Sequence, residues 1–377
     1  MRVAVIVTAR PSWAKLEPVC RALSAKPEID LQIIACASAL LERYGRVVDV
    51  IRKDYAIAEE VWSTVEGNTL LTSAKETGAL LEGVAAALYR LQPERVVVCA
   101  DRHEVLGAAQ AASYLHLPVV HLQGGERTGS IDDRVRDSIT ALSDIHCVCT
   151  EQARHRVYGL TGHWERIFNT GCPSIDMAIR DGDQTVTMEE LGGAGQTFDL
   201  SQPFLLVLQH PVTNEAAQAE AQMHETLQAT RHIRLPVLAM WPGQDAGSDG
   251  ISKAIRAHKE AHPEQVVHTV RNLPPQRFLK LLTQCAVLIG NSSCGIRECS
   301  YLGTPVVDVG TRQFGRERAA NVLTGPHDRE WITHAIQHQW TQGFYPSSTL
   351  YGSGNAGEQI AEVIAHVGVS DRAGAGR

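Results

Sequence analysis

No CxxC pair occurs among the nine cysteines, which stand at 20, 36, 99, 147, 149, 172, 285, 294 and 299. Scattered and odd in number, they make neither a disulfide framework nor a zinc ribbon, and a reducing cytoplasm fits them best. Cys147-Val148-Cys149 can be read as a metal pair, but strand alternation puts both thiols on one face, and buried core cysteine is the better reading. No apolar run is long enough to span a bilayer. The first, Met1-Arg2-Val3-Ala4-Val5-Ile6-Val7, meets Thr8-Ala9-Arg10-Pro11 at once and reads as a strand rather than a secretory signal. Positive charge is not in excess: 35 basic against 42 acidic residues give a net charge of −7, which argues against a nucleic-acid binder. A GxGxxG fingerprint is missing, so a nicotinamide or flavin dinucleotide fold is disfavoured. Internal repeats are not evident.

What is present is an ordinary globular composition, 44% apolar and 20% charged, in a chain of 377 residues, which is comfortable for two domains. Short β-branched runs alternate with helical patterns, as in a doubly wound parallel sheet. Strands are expected at 3–7, 31–37, 95–100, 118–122, 146–150 and 166–170, with helices at 13–23, 69–91, 104–113 and 133–143. A second series follows, with strands at 204–208, 236–241, 265–270, 286–289 and 305–309 and helices at 216–232, 250–262, 276–284 and 295–301. The polar, Gly-rich passage 181–203 is the linker candidate. The reading is α/β: two Rossmann-like doubly wound parallel-sheet domains, 1–180 and 204–355, with a cleft between them. A Gly/Ala-rich tail at 369–377 is expected to be disordered.

The richest stretch is His121-Leu122-Gln123-Gly124-Gly125-Glu126-Arg127-Thr128-Gly129-Ser130-Ile131-Asp132-Asp133. It follows the apolar run Leu117-Pro118-Val119-Val120, and its Gly pair lets the chain turn sharply where that strand ends. Asp101 ends the preceding strand. Carboxyl ends of adjacent parallel strands open onto one crevice, so Asp101, Glu126 and Asp133 are expected to share a site suited to proton transfer at carbon. Solvated turn acids and helix caps are the plainer alternative, and for Asp132 alone that alternative is preferred. Crowding should raise at least one carboxyl pKa.

Arg10 and Lys15 bracket the first helix start, where cations and free N–H groups can hold an anion, although either is ordinarily a surface residue. In the second half, Gly290-Asn291-Ser292-Ser293-Cys294-Gly295-Ile296-Arg297-Glu298 leaves a strand and opens a helix. Such a start suits a diphosphate, with Glu298 placed for ribose hydroxyls, and simple N-capping by serine is an equal alternative. His210 ends the first strand of the second domain, where it can be a ligand contact or a structural residue. Asp245-Ala246-Gly247-Ser248 forms another turn at a strand's end. Arg312, Arg316 and Arg318 follow Gly310 as candidate phosphate cations or as a solvated helix start.

Taken together these motifs resemble the UDP-N-acetylglucosamine 2-epimerase family along almost the whole chain, from Arg10 to Tyr351-Gly352-Ser353-Gly354-Asn355. The resemblance is closer to the hydrolysing branch, through Ala100-Asp101-Arg102-His103-Glu104, Gly124-Gly125-Glu126, Trp241-Pro242 with Asp245-Ala246-Gly247-Ser248, and Gly290-Asn291-Ser292-Ser293-Cys294-Gly295-Ile296-Arg297-Glu298. It implies a GT-B fold, with the nucleotide held mainly by the C-terminal domain and a last helix at 356–368 crossing back to the first. The implied reaction removes the C2 proton of the sugar while UDP leaves C1, and water then adds to the glycal, giving N-acetylmannosamine and UDP. On this reading Asp101, Glu126 and Asp133 are the acid/base set. Arg10, His210, Ser292, Ser293 and Arg316 stabilise the leaving group. Lys15, Gln123, Arg136, Asp245, Gly295 and Glu298 complete the binding residues. The reaction requires no cofactor and no metal; a homodimer is common in the family, and no membrane or nucleic-acid partner is expected.

Four positions depart from the family pattern. His-x-His-Gly-Gly-Glu has become His121-Leu122-Gln123-Gly124-Gly125-Glu126, and Gln123 cannot titrate. Arg-His has become Arg136-Asp137. Pro-Asn-x-Asp has become Pro242-Gly243-Gln244-Asp245, and Gly-Asn-Pro has become Gly171-Cys172-Pro173. These changes motivate a second reading, a repurposed member acting on another nucleotide conjugate in specialised metabolism. A non-hydrolysing epimerase, a GT-B glycosyltransferase and a non-catalytic nucleotide-sugar sensor are the remaining alternatives.

Overall fold

The computed structural model of the protein describes residues 1–67, 69–129, 131–181, 186–243, 245–271 and 273–368. Ser130, Gln244, residues 182–185 of the expected linker and the expected tail at 369–377 lie outside the described residues. The chain divides into two units: Met1–Glu126, Asp132–Asp176 and Gly352–Arg377 form the first, and Arg127–Ile131 with Met177–Tyr351 form the second.

The first unit has seven strands: β1 (Arg2–Val7), β2 (Asp30–Cys36), β3 (Ile57–Val61), β4 (Arg95–Cys99), β5 (Val119–Leu122), β6 (Ile145–Val148) and β7 (Ile167–Asn169). All pair in parallel in the order β3-β2-β1-β4-β5-β6-β7. Both faces are covered, which is why the strands read as continuous apolar runs. Val3, Val5 and Val7 pack with Leu16, Val19 and Leu23 and with Ile360 and Ile364 of the last helix. Ala4 and Ile6 face the other way, onto Leu80, Val84, Val105 and Ala108. Helix Ala356–His366 thus supplies core to the first unit. Asp176 accepts from its first backbone N–H groups, Ala356 at 3.1 Å and Gly357 at 2.7 Å, and Arg95 donates to Val367 O at 2.6 Å beyond its far end.

The second unit has β8 (Ala194–Gly195), β9 (Leu205–Leu208), β10 (Val237–Met240), β11 (Val267–Val270), β12 (Val287–Gly290), β13 (Val306–Val309) and β14 (Val322–Gly325). Their order is β14-β13-β12-β9-β10-β11-β8, with only β8 antiparallel. Where the sequence suggests a linker, Thr187 caps a short helix, Met188–Leu191, and β8 extends the sheet along β11. The expected helix at 295–301 is two pieces, Ser293–Ile296 and Glu298–Leu302, because Arg297 leaves helical geometry at φ −97° and ψ −76°.

In each sheet the strand order reverses once, between β1 and β4 and between β9 and β12. Ligands of open α/β sheets bind outside the carboxyl ends of the strands at such points. Arg10 and Asp101 follow β1 and β4, and His210 and Asn291 follow β9 and β12. All nine cysteines are buried thiols. No helix among the described residues is long and apolar enough to cross a membrane.

Candidate functional site

In the first unit, β4 and β5 run level, Val98 beside His121 and Cys99 beside Leu122. Both chains leave their strands through a left-handed residue, Ala100 at φ 68° and Gln123 at φ 66°. Side chains other than glycine pay for that conformation sterically, and such residues cluster at functional sites. His121 ties the two exits together. Its Nε2–H donates to Ala100 O at 2.9 Å, and its Nδ1 accepts from Thr140 Oγ1 at 3.1 Å. Burial pushes the imidazole down to about 4, against the smaller pull of the Ala100 carbonyl, so the ring is neutral at pH 7.

Gly125 then makes the turn. Its φ is 78°, and a Cβ there would lie 2.3 Å from Ala153 O, so only glycine fits. Glu126, 4% exposed, follows. Helix Ile131–Leu142 returns Asp133 and Arg136 on one face, one turn apart. Arg136 is the centre of the arrangement and only 1% exposed. Its Nη1 donates to Asp133 Oδ1 at 2.8 Å and to Glu126 O at 2.5 Å, and its Nη2 donates to Asp101 Oδ2. Burial alone would lower the guanidinium, but Asp101, Glu126 and Asp133 outweigh it and raise its pKa. The three expected acids therefore do come together, and around a buried cation rather than only against one another. Asp132 sits half-buried in the first turn of the same helix.

A second charged cluster begins at the next residues after Asp101. His103 bonds Glu76 at 3.1 Å and Glu104 at 3.3 Å, and Arg102 Nε donates to Glu104 at 2.5 Å. Burial would lower His103, but Glu104 and Glu76 prevail and raise it. Sequence reasoning gave no role to Glu76, His121 or Thr140, because their partners come from distant segments. Arg10 opens helix Arg10–Ser24 and donates through Nη2 to Gly45 O at 2.6 Å, and Lys15 is half-buried on the same helix.

The second unit uses amides. His210 N donates to Asn291 Oδ1 at 2.7 Å, and Asn291 Nδ2 donates to His210 O at 2.9 Å, bridging the ends of β9 and β12. This closeness needs Gly290, at φ 135°, where a Cβ would stand 2.1 Å from Leu208 O. Asn291 O accepts from Gln313 Nε2 at 2.8 Å and Arg312 Nη1 at 3.2 Å, and Arg316 Nη1 donates to Gln313 Oε1. Arg318, the third of the candidate phosphate cations, is engaged within its own unit. It donates to buried Asp308 at 3.1 Å, to Gln313 O at 2.7 Å and to Arg316 O at 2.8 Å, because a carboxylate inside a sheet requires a counter-ion.

Ser292 acts as the N-cap, its Oγ accepting from Cys294 N at 3.4 Å, and Ser293 starts a helix of four residues. Gly295 is a packing glycine: a Cβ would lie 2.9 Å from Val306 Cγ1. Glu298 begins the next short helix, half-buried. Asp245 N donates to Ser248 Oγ at 3.2 Å after β10, a local contact that leads through Gly247 into helix Ser248–Ala261. Trp241 carries Arg271 over its ring at 4.5 Å, a cation–π pair that the sequence reading did not include.

The sequence model of the UDP-N-acetylglucosamine 2-epimerase family matches residues 21–365. The hydrolysing UDP-N,N'-diacetylbacillosamine 2-epimerase of Legionella pneumophila is 29% identical over 366 residues, covering 96% of this chain and 95% of that protein. The UDP-N-acetylglucosamine 2-epimerase of Neisseria meningitidis serogroup B is 27% identical over 379 residues, covering 96% and 94%. A crystal structure of UDP-N-acetylglucosamine 2-epimerase from Neisseria meningitidis, bound to UDP-N-acetylglucosamine, superposes with a TM-score of 0.80 at 16% identity, covering 97% of this chain and 100% of that one. These likenesses show the GT-B fold.

Proposed function

The chain belongs to the UDP-N-acetylglucosamine 2-epimerase family, and on that premise we propose that it is a hydrolysing epimerase releasing N-acetylmannosamine and UDP from UDP-N-acetylglucosamine and water. One observation carries the reading: Asp101, Asp133 and the Glu126 backbone gather on buried Arg136 at the ends of β4 and β5. Removing a proton from C2 needs a base there, and returning one needs an acid. Asp101, Glu126 and Asp133 supply both. Arg136 fixes two of the carboxylates and offsets the repulsion of crowding them.

C2 is a weak acid, so elimination depends on stabilising the departing UDP. Arg10, His210, Ser292, Ser293 and Arg316 take that role in this reading, with His210 held in place by Asn291. UDP leaves C1 as the C2 proton is taken, the glycal forms, and water adds at C1 while a carboxylic acid protonates C2. The enzyme works as a homodimer in a reducing cytoplasm, for which its nine buried thiols are suited.

The substrate named for the Legionella relative supports a second candidate, UDP-N,N'-diacetylbacillosamine, which carries the same 2-acetamido group. The test is NMR of the protein with each UDP-sugar in D2O. The expected product is free sugar, epimerised and deuterated at C2, with one equivalent of UDP. Release of an intact epimerised UDP-sugar, or turnover that requires an acceptor, would overturn the reading. Preference between the two substrates decides the sugar.

A further inference from the structure

Gln123 and Cys172 are two of the positions that depart from the family pattern, and in the structure they touch. Gln123 Nε2 donates to Cys172 Sγ at 3.1 Å, and Cys172 Sγ lies 2.9 Å from Ser174 Oγ. All three residues are buried, at 1%, 0% and 2% exposure. They belong to segments leaving β5 and β7, and Gln123 N donates to Cys147 O, on the intervening β6, at 2.9 Å. The side chain of Gln123 thus spans the end of the strand between.

This bond bears on the acid/base turn for a geometric reason. Gln123 sits at φ 66°, where a side chain is sterically costly and glycine would be free. Something must hold it there. Three residues on, the turn is fastened from the other end, by Arg156 on Gly125 O at 3.3 Å and Arg136 on Glu126 O at 2.5 Å. At the near end Gln123 is held by its backbone bond to Cys147 O and by its side-chain bond to Cys172. A histidine at 123 would present a rigid ring of different reach, and an asparagine at 172 would present a second amide in place of a large, soft acceptor.

We infer that Gln123 and Cys172 are a matched pair of positioning residues: their hydrogen bond holds the left-handed turn that places Glu126, and each depends on the other's identity. The inference rests on the epimerase reading for its kinetic consequence only. Its test is a swap cycle: Gln123→His, Cys172→Asn and the double variant, with Cys172→Ala and Cys172→Ser as gentler changes that keep the fold if the swaps do not. UDP release is measured as kcat and KM separately, together with UDP affinity by titration and hydrogen exchange of the Gly124–Glu126 amides.

Each single swap and Cys172→Ala should lower kcat by about 10- to 100-fold, since small misplacements of a reacting group have effects of that size. KM and UDP affinity should move by no more than about 3-fold, and turn amides should exchange faster. Cys172→Ser, which keeps an acceptor, should stay close to the parent, and the double swap should regain most of the single losses. The inference fails if the single losses multiply in the double variant, if kcat, KM and UDP affinity decline together, or if Cys172→Ala leaves kcat and turn exchange unchanged. Should the parent protein turn over neither UDP-sugar, the epimerase reading fails, and hydrogen exchange in Cys172→Ala against Cys172→Ser still decides the pair.

Discussion

The two sheets share the order of six parallel strands, differing in the placement of β7 and β8, but close their carboxyl ends with different chemistry. In the first unit the ends of β4 and β5, tied by neutral His121, also carry a buried charge cluster, Arg136 on Asp101 and Asp133. In the second, the ends of β9 and β12 are joined by a neutral amide, Asn291 on both backbone groups of His210. On the proposed elimination the two ends serve different needs. Proton transfer needs titratable groups held at fixed spacing, and a buried guanidinium can hold several carboxylates without itself losing a proton. Anchoring a departing diphosphate needs donors pointed at one place, and an amide lock orients a histidine without adding a charge that would compete for the ligand.

The sharpest break of the comparison is to remove the cation. Arg136→Met leaves two carboxylates facing each other in a partly buried setting, and the expected losses are about 3–5 kcal/mol of stability and nearly all turnover. Urea unfolding and UDP release check both. Arg136→Lys should fail to restore activity, because one ammonium cannot reproduce the fork that meets Asp101, Asp133 and Glu126 O.

Acid should weaken the first unit through His121. The unfolded ring takes up its proton near pH 6.5, whereas burial pushes the folded ring down to about 4. Between those values the unfolded state binds more protons. The stability that depends on a neutral ring is therefore complete above about pH 6.5 and is lost as pH falls toward 4, by about 3 kcal/mol. Unfolding curves at pH 7 and 4.5 should show this loss, and His121→Gln should flatten it.

Removing the amide lock should act on binding more than on proton exchange. Asn291→Ala deletes both His210 bonds, with an expected loss of about 2 kcal/mol in UDP affinity, read by calorimetric titration. Loss of C2 deuterium exchange without a change in UDP affinity would contradict the division between the sheets.

Asp176 provides the smallest effect. Burial raises its pKa, against the pull of the two N–H groups it accepts, so its ionised form carries a penalty at pH 7. That penalty is absent when the group is protonated, and it grows as pH rises through the folded pKa. Asp176→Asn keeps only one of the two acceptors and should lose about 1 kcal/mol, and Asp176→Ala, which keeps neither, about 1–2 kcal/mol, as for other lost helix caps.

Most central strands were legible because they are buried on both faces and read as unbroken apolar runs. The edges were not. β3 reads Ile57-Ala58-Glu59-Glu60-Val61, with two acids interrupting the run, and β8 is two residues long inside a Gly-rich passage. Asp101 and Glu126 were legible from their places just beyond strands. The Arg318–Asp308 pair was not legible, since nothing near Arg318 in sequence announces that Asp308 needs a counter-ion. The packing role of Gly295 also depends on a neighbour, Val306, that only folding supplies.

The sequence by itself determined the α/β alternation, the places where strands give way to turns, and the residue types at those turns. These follow from local rules: apolar runs bury, glycine permits sharp exits, and helices start where a cap is available. Tertiary structure alone decided which groups meet. Arg136 reaches Asp101 across 35 residues, Gln123 reaches Cys172 across 49, and Asn291 reaches His210 across 81. Those meetings depend on strand order and register, which helix packing on both faces of each sheet sets and which no local stretch of sequence encodes.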